Sequence, residues 1–168
     1  MDIKKLADSF YDENSHLQEV LDKSLSDEWF PDKTRGYGIV VIEFKGLKFG
    51  IPLRSNMNHS SGFHTVGNKG LDFSKAVLIK DNKYISNESF IIPKEEHTKI
   101  RDKSYFISSR FNKYVSRYCD LVNNESYSVI DRVYNFSTLK NYHCDLDLCR
   151  LLGCCIPLPI EDEDSFID

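Results

Sequence analysis

YGIVVIEF (37–44), Lys45, Gly46 and LKFGIPL (47–53) form the stretch on which the fold turns. Both runs are rich in β-branched and aromatic side chains, which fit a pleated surface, and only two residues separate them. Gly46 accepts the positive φ that a two-residue turn demands, so the pair reads as a β-hairpin with Lys45 and Gly46 at its tip. Pro52 has no N–H to give a ladder, so the second strand is expected to end near it or to lie at an edge. The residues that follow, RSNMNHSSGFHTVGNKG (54–70), are too polar for a core strand and read as a long loop at a strand end. Loops of that length in a compact domain are often the functional ones.

Upstream of the hairpin, Ile3, Leu6, Ala7, Phe10, Leu17, Val20 and Leu21 recur mostly at steps of three and four, which predicts an amphipathic helix over 3–21. Residues 24–36 mix Ser, Asp, Pro and Gly and connect it to the first strand. Downstream, KAVLI (75–79) and FII (90–92) read as strands separated by the turn-rich DNKYISNES (81–89). Pro93 followed by Lys94, Glu95 and Glu96 opens a helix. Ile100, Ile107, Phe111, Tyr114, Tyr118 and Leu121 carry its apolar stripe to about residue 121. One or two further helices are expected over 127–152, ending at Gly153. The chain therefore divides into one domain, 1–155, and an acidic flexible tail, 156–168.

With 168 residues, 40% apolar and 29% charged, the chain has the length and composition of one globular domain. No run approaches the roughly 18 apolar residues of a membrane span, and MDIKKLADSF lacks the apolar core of an export signal. A cytoplasmic protein without a membrane partner is expected. The five cysteines are an odd number, so free thiols are expected, and HCDLDLCRLLGCC (143–155) lacks the paired C-x2-C spacing of structural zinc. Neither metal nor cofactor is expected. The net charge of −4 argues at first against a nucleic-acid partner. Its distribution reverses that: residues 1–32 carry nine acids and three bases, residues 161–168 five acids and no base, and residues 33–160 a balance of +7.

The densest set of reactive side chains lies on the hairpin and the loop after it: Lys33, Arg35, Lys48, Arg54, Ser55, His59, His64, Thr65, Lys69 and Lys75. RNA strand scission without a metal needs a group to take the 2'-hydroxyl proton, cations for the charge on phosphorus, and a proton for the leaving 5'-oxygen. Each role has a candidate here, and each candidate also has an ordinary reading. A serine in a Ser-rich loop is a turn residue, loop histidines are solvated, and Lys48 alternates with apolar neighbours as any solvent-facing strand lysine does. Asp72, two residues before Ser74, reads as a cap. Residue types alone do not make this an enzyme.

RGYGIVVIEFKGLKFGIPLRSNMNH (35–59) followed by KGLDFSKAVLI (69–79) resembles the endoribonucleases of type III toxin-antitoxin systems, the ToxN/AbiQ superfamily, and most of all its TenpN-like branch. The specific part is an ordered series: strand, K-G turn, strand ending P-L-x-S, polar loop, then G-L-D-x-S-K-A-V. The similarity takes in FYDENSHLQEVL (10–21) and IIPKEEHTKI (91–100), and runs more weakly through RFNKYVSRY (110–118) and FSTLKNYH (136–143). It implies an α+β fold: a compact single domain with a strongly twisted, mostly antiparallel β-sheet core surrounded by α-helices. It implies metal-independent cleavage of cellular mRNA to 2',3'-cyclic phosphate and 5'-hydroxyl ends. It further implies inhibition by an antitoxin RNA of pseudoknot repeats in a protein–RNA hetero-oligomer, and a role in growth arrest or phage defence by abortive infection.

The resemblance places Ser55 in the active site. Arg54 stands where the ToxN branch has threonine, and an arginine there suits bidentate phosphate binding. A lysine before the first strand corresponds to Lys33 or Arg35, and Met57 occupies the place of a second family lysine. His59, His64 or Lys75 is expected to supply the missing cation, with His59 or His64 as general acid or base. Lys45, Lys48 and Lys69 are expected to bind RNA backbone, and Tyr37 and Phe63 to stack on flexible bases. Two other readings stay open: a noncatalytic RNA-binding module, and a protein-interaction domain whose acidic ends meet a basic partner.

Overall fold

A computed structural model describes residues 1–20 and 37–148. The expected hairpin is its centre. Strands β2 (Gly38–Phe44) and β3 (Leu47–Arg54) pair antiparallel from Ile39↔Pro52 to Phe44↔Leu47. Lys45 and Gly46 at the tip have φ of +49° and +82°, the doubly positive pair of a turn that matches strand twist. Around this hairpin the sheet gathers β1 (Ile3–Leu6), β4 (Gly62–His64), β5 (Gly70–Asp72), β6 (Val77–Leu78) and β7 (Ile85–Ser89). The order is β4-β5-β3-β2-β1-β7, with β6 also on β3, and every pairing is antiparallel. The helices are α1 (Asp8–Glu13), α2 (Lys94–Asp102), α3 (Ser104–Asn123) and α4 (Tyr127–Val133). The fold is α+β, in one sheet with its helices.

Because opposite residues in an antiparallel pair share a face, Val40, Ile42, Phe44, Phe49, Ile51 and Leu53 form one apolar face, all buried. Helix α3 lies on it through Ile107, Phe111, Val115, Tyr118 and Val122, spaced by four, four, three and four, all buried. The Phe111 ring sits 5.5 Å from Phe49 and 5.6 Å from Phe73, edge on, the geometry aromatic quadrupoles prefer. The other face is polar at the hairpin tip, where Glu43 and Lys48 are exposed, and ends at Arg54.

Several local expectations are corrected. Residues 3–21 do not form one helix: Ile3–Leu6 pairs with β2 and β7, and only Asp8–Glu13 is helical. The second sheet strand downstream is Ile85–Ser89, inside the segment read as turn, while residues 90–92 are irregular. KAVLI gives only Val77–Leu78, after a 3-10 turn at Phe73–Lys75. The long helix is broken at Lys103 into α2 and α3. Pro52 lies within a central strand. It is tolerated because β3 pairs with β6 through Phe49 and Gly50 and with β5 through Leu53 and Arg54, so Pro52 falls where one neighbour hands over to the other. Cys119 is a free, buried thiol, but Cys144 is disulfide-bonded, against the expectation of free thiols. The end of the 1–155 domain and the 156–168 tail lie outside the described residues.

Candidate active site

The polar stretch after β3 is not a plain loop. It folds back as β4 and pairs with β5, Gly62↔Asp72 and His64↔Gly70, while Arg54 pairs with Gly70 from the other side. Arg54, Gly70 and His64 thus stand in one row across three strands, on one face, with Asp72 two residues further along β5. Gly70 allows the strands this approach: a Cβ there would lie 2.1 Å from the Phe63 carbonyl oxygen. The connection between β4 and β5 turns at Gly67 and Asn68, both at positive φ, with Lys69 N–H donating to the Val66 carbonyl at 3.1 Å.

Asp72 closes β5 and caps the 3-10 turn that follows, its Oδ1 accepting from the Ser74 N–H at 3.0 Å and the Ser74 hydroxyl at 2.6 Å. Its other oxygen, Oδ2, accepts from Arg54 Nη1 at 2.6 Å and faces His59 Nε2 at 3.2 Å. The side chain is 0% exposed and that of Arg54 34%. Capping is worth about 1 kcal/mol. Burying a carboxylate costs several times that unless it is paired and every lone pair is satisfied. Here Ser74, Arg54 and His59 meet that condition together, so the geometry of all three is tied to one buried group. His64 secures the loop by donating from Nε2 to the His59 carbonyl at 2.9 Å.

Above this hub opens a cleft of about 350 Å³ lined by Arg54, His59, Ser61, Ser74, Lys75 and, from the chain after α3, Arg132, Val133, Asn135, Phe136 and Ser137. Lys75 is 11% exposed and donates to Glu19 Oε2 at 2.8 Å and to the Phe136 carbonyl at 2.9 Å. Arg132 has no ion pair among the described residues, and Phe136 is 66% exposed at the rim. Ser137 accepts from the Tyr114 hydroxyl at 3.1 Å. Burial drives the Tyr114 phenol well above its ordinary range, which keeps it a donor. Arg110 of α3 lies 6.0 Å from the Phe73 ring and 5.7 Å from Phe106, and donates to the Ser60 carbonyl, extending the cationic border past the 59–61 loop.

Of the residues expected in the site, the structure brings together Arg54, His59 and Lys75, with His64 behind the loop. Ser55 is exposed, directly after Arg54, but does not line the cleft, where Ser61 and Ser74 stand instead. Met57 is buried, 1% exposed, so its position belongs to the core and offers no cation to the cleft. Lys48 borders a separate depression of about 540 Å³ with Lys80, Asp81 and Asn82. It lies six residues from Arg54 along the strand, about 20 Å away at 3.3 Å per residue. Lys45 sits at the hairpin tip against the Phe44 ring, and Lys69 in the turn between β4 and β5. The two expected stacking aromatics face inward: Phe63 is 6% exposed, and Tyr37 packs on Tyr11 at 4.9 Å between centroids. The sheet's alternation explains Phe63, which lies opposite the buried Leu71. Lys33 and Arg35 lie outside the described residues.

Sequence reasoning did not single out Ser61, Arg132, Phe136 or Ser137, and took Asp72 only as a cap. A D-x-S spacing does announce a capped turn, but the partners of Oδ2 lie 13 and 18 positions upstream. Among the described residues no group of three His, Cys, Asp or Glu side chains has metal-binding geometry. No helix among them is long and apolar enough to cross a membrane. Comparison with family models, with curated proteins and with solved structures finds no match.

Proposed function

We propose that this chain is a metal-independent endoribonuclease of the type III toxin-antitoxin kind, which cleaves cellular mRNA and is held in check by direct binding of a repetitive, structured RNA. The reading rests on the ordered motif series from Arg35 to Val77 and on one structural observation: Arg54 and His59 share a buried carboxylate oxygen at the edge of a cleft that Lys75 and Arg132 also line. An arginine held in place and an imidazole beside it suit two of the roles that metal-free scission needs, charge stabilisation at phosphorus and one of the two proton transfers.

In this scheme a scissile phosphodiester sits against Arg54 and Arg132, whose guanidinium groups counter the charge that builds on the non-bridging oxygens. The ribose 2'-oxygen forms its bond to phosphorus as the bond to the 5'-oxygen breaks. The proton lost by the 2'-hydroxyl is balanced by one delivered to the 5'-oxygen. The products are a 2',3'-cyclic phosphate and a 5'-hydroxyl end, and no protein side chain becomes covalently attached. Phe136 at the rim offers a ring on which an adjacent unpaired base stacks.

The rival with a specific observation behind it is a noncatalytic RNA-binding module. Ser55 stands outside the cleft lining and the Lys75 ammonium is engaged by Glu19, which leaves fewer groups for chemistry than the resemblance implies. Incubating purified protein with generic RNA in EDTA separates the two. The nuclease reading expects fragments with cyclic phosphate ends, which added RNA from tandem repeats next to the coding region suppresses; intact RNA of retarded mobility favours the module.

A further inference from the structure

We propose that Asp72 is a positioning residue for this reaction, holding His59 by Nε2 so that Nδ1 is the ring atom through which the reaction's proton passes. The inference rests on the nuclease reading and adds to it an orienting group and a specific nitrogen. A carboxylate only accepts, so the 3.2 Å contact between His59 Nε2 and Asp72 Oδ2 carries the ring proton on Nε2. Nδ1 then holds the lone pair in the neutral ring, has no partner among the described residues, and belongs to a side chain that lines the cleft.

Capping alone does not account for the arrangement. The cap employs Oδ1 and the two donors of Ser74, whereas Oδ2 is given wholly to Arg54 and His59, the two groups assigned to phosphate and proton. Both donors point at one oxygen of a carboxylate that solvent does not reach, so neither can turn away without leaving that oxygen short of a partner. The loop carrying His59 is itself tied down by His64, whose Nε2 donates to the His59 carbonyl, which fixes the main chain from which the ring projects. A base or acid oriented by a buried carboxylate at the ring nitrogen that does not react is a recurrent way of holding one tautomer.

The protons balance with neutral His59 as the base. Nδ1 takes the 2'-hydroxyl proton as that oxygen bonds to phosphorus, solvent water gives a proton to the departing 5'-oxygen, and the hydroxide so formed is neutralised when the imidazolium releases its proton.

The test combines tautomer assignment with a kinetic cycle. Nitrogen-15 NMR of the wild-type protein should find neutral His59 protonated on Nε2; protonation on Nδ1 overturns the proposal without reference to activity. Single-turnover cleavage is then compared for wild type, Asp72→Asn, His59→Ala and the double variant. The amide keeps the volume but loses the acceptor-only character, so Asp72→Asn should lower the cleavage rate about 10²- to 10⁴-fold, by more than it weakens RNA binding through Arg54. In the His59→Ala background the same change should cost at least about tenfold less, the remainder being what Asp72 does through Arg54, because groups acting as a unit are not additive. An equal loss in both backgrounds overturns the role of Asp72 while leaving the nuclease intact. A wild-type protein that binds RNA and never cleaves it sinks the nuclease reading itself, and the tautomer measurement then reports on the contact alone.

Discussion

Asp72 and Arg54 show what a single side chain can and cannot announce. D-x-S is legible as a capped turn because the side-chain oxygen is two residues from the N–H it accepts, a local relation that needs no fold. The ion pair to Arg54 is not legible, because it depends on the β3–β5 register, and neither is the contact to His59. Lys75 lines the cleft, but Glu19, 56 residues upstream, accepts from its ammonium. Phe63 shows the opposite case, where strand alternation turns inward a ring expected to stack on bases, and Ser55, placed in the site by the resemblance alone, follows the end of β3 and stays outside the cleft lining. The buried carboxylate gives a prediction at this scale. Replacing Arg54 by Met removes one partner of a fully buried charge, and since Arg54 is a third exposed, water softens the loss to about 2 kcal/mol. Chemical denaturation should show that loss, and adding Asp72→Asn to the same chain should recover part of it. Equal or greater destabilisation in the double variant would mean that the charge of Asp72 is not what Arg54 satisfies.

The hairpin was the most legible element, because its turn chemistry and two β-rich runs agree with one another and with its place at the sheet's centre. Residues 3–21 were misread for a definite reason: Leu6, Ala7 and Phe10 keep helical spacing across a boundary where Ile3–Leu6 pairs with two strands far away in sequence. Such pairing overrides local periodicity, and four residues are too few for a period of two to stand out. The same shortness hid β4, three residues within a polar stretch, where two glycines are the clue. Gly62 and Gly70 face close backbone, and the account predicts that Gly70→Ala is among the most damaging changes in this region. Its methyl would press into the Phe63 carbonyl, so β4 and β5 must part and carry His64 away from Arg54. A loss of at least about 3 kcal/mol belongs to such clashes, read as a lower urea midpoint at unchanged slope. A variant with wild-type stability would show that the two strands are not held this closely.

For the molecule as a whole, the net charge of −4 conceals a division that sequence position reveals only in part. The basic middle of the chain supplies Arg54, Lys75, Arg110 and Arg132 around the cleft, and the acidic N-terminal segment supplies Glu19, which occupies one of those cations. Glu19→Gln should therefore strengthen RNA binding. It should also steepen the fall of log affinity with log salt by about 0.7, the value of one added phosphate contact on a single strand; an unchanged slope would show that Lys75 does not reach RNA even when released. The central claim is that His59, beside Arg54, moves a proton during transfer of a phosphodiester to its own 2'-oxygen. It is tested most directly by single-turnover cleavage in EDTA with wild type and His59→Ala side by side, reading the 3' ends of the fragments by mass. The account predicts 2',3'-cyclic phosphate ends from wild type and a rate at least about 100-fold lower from the variant. Fragments ending in a 3'-hydroxyl, or cleavage by His59→Ala as fast as by wild type, would contradict it.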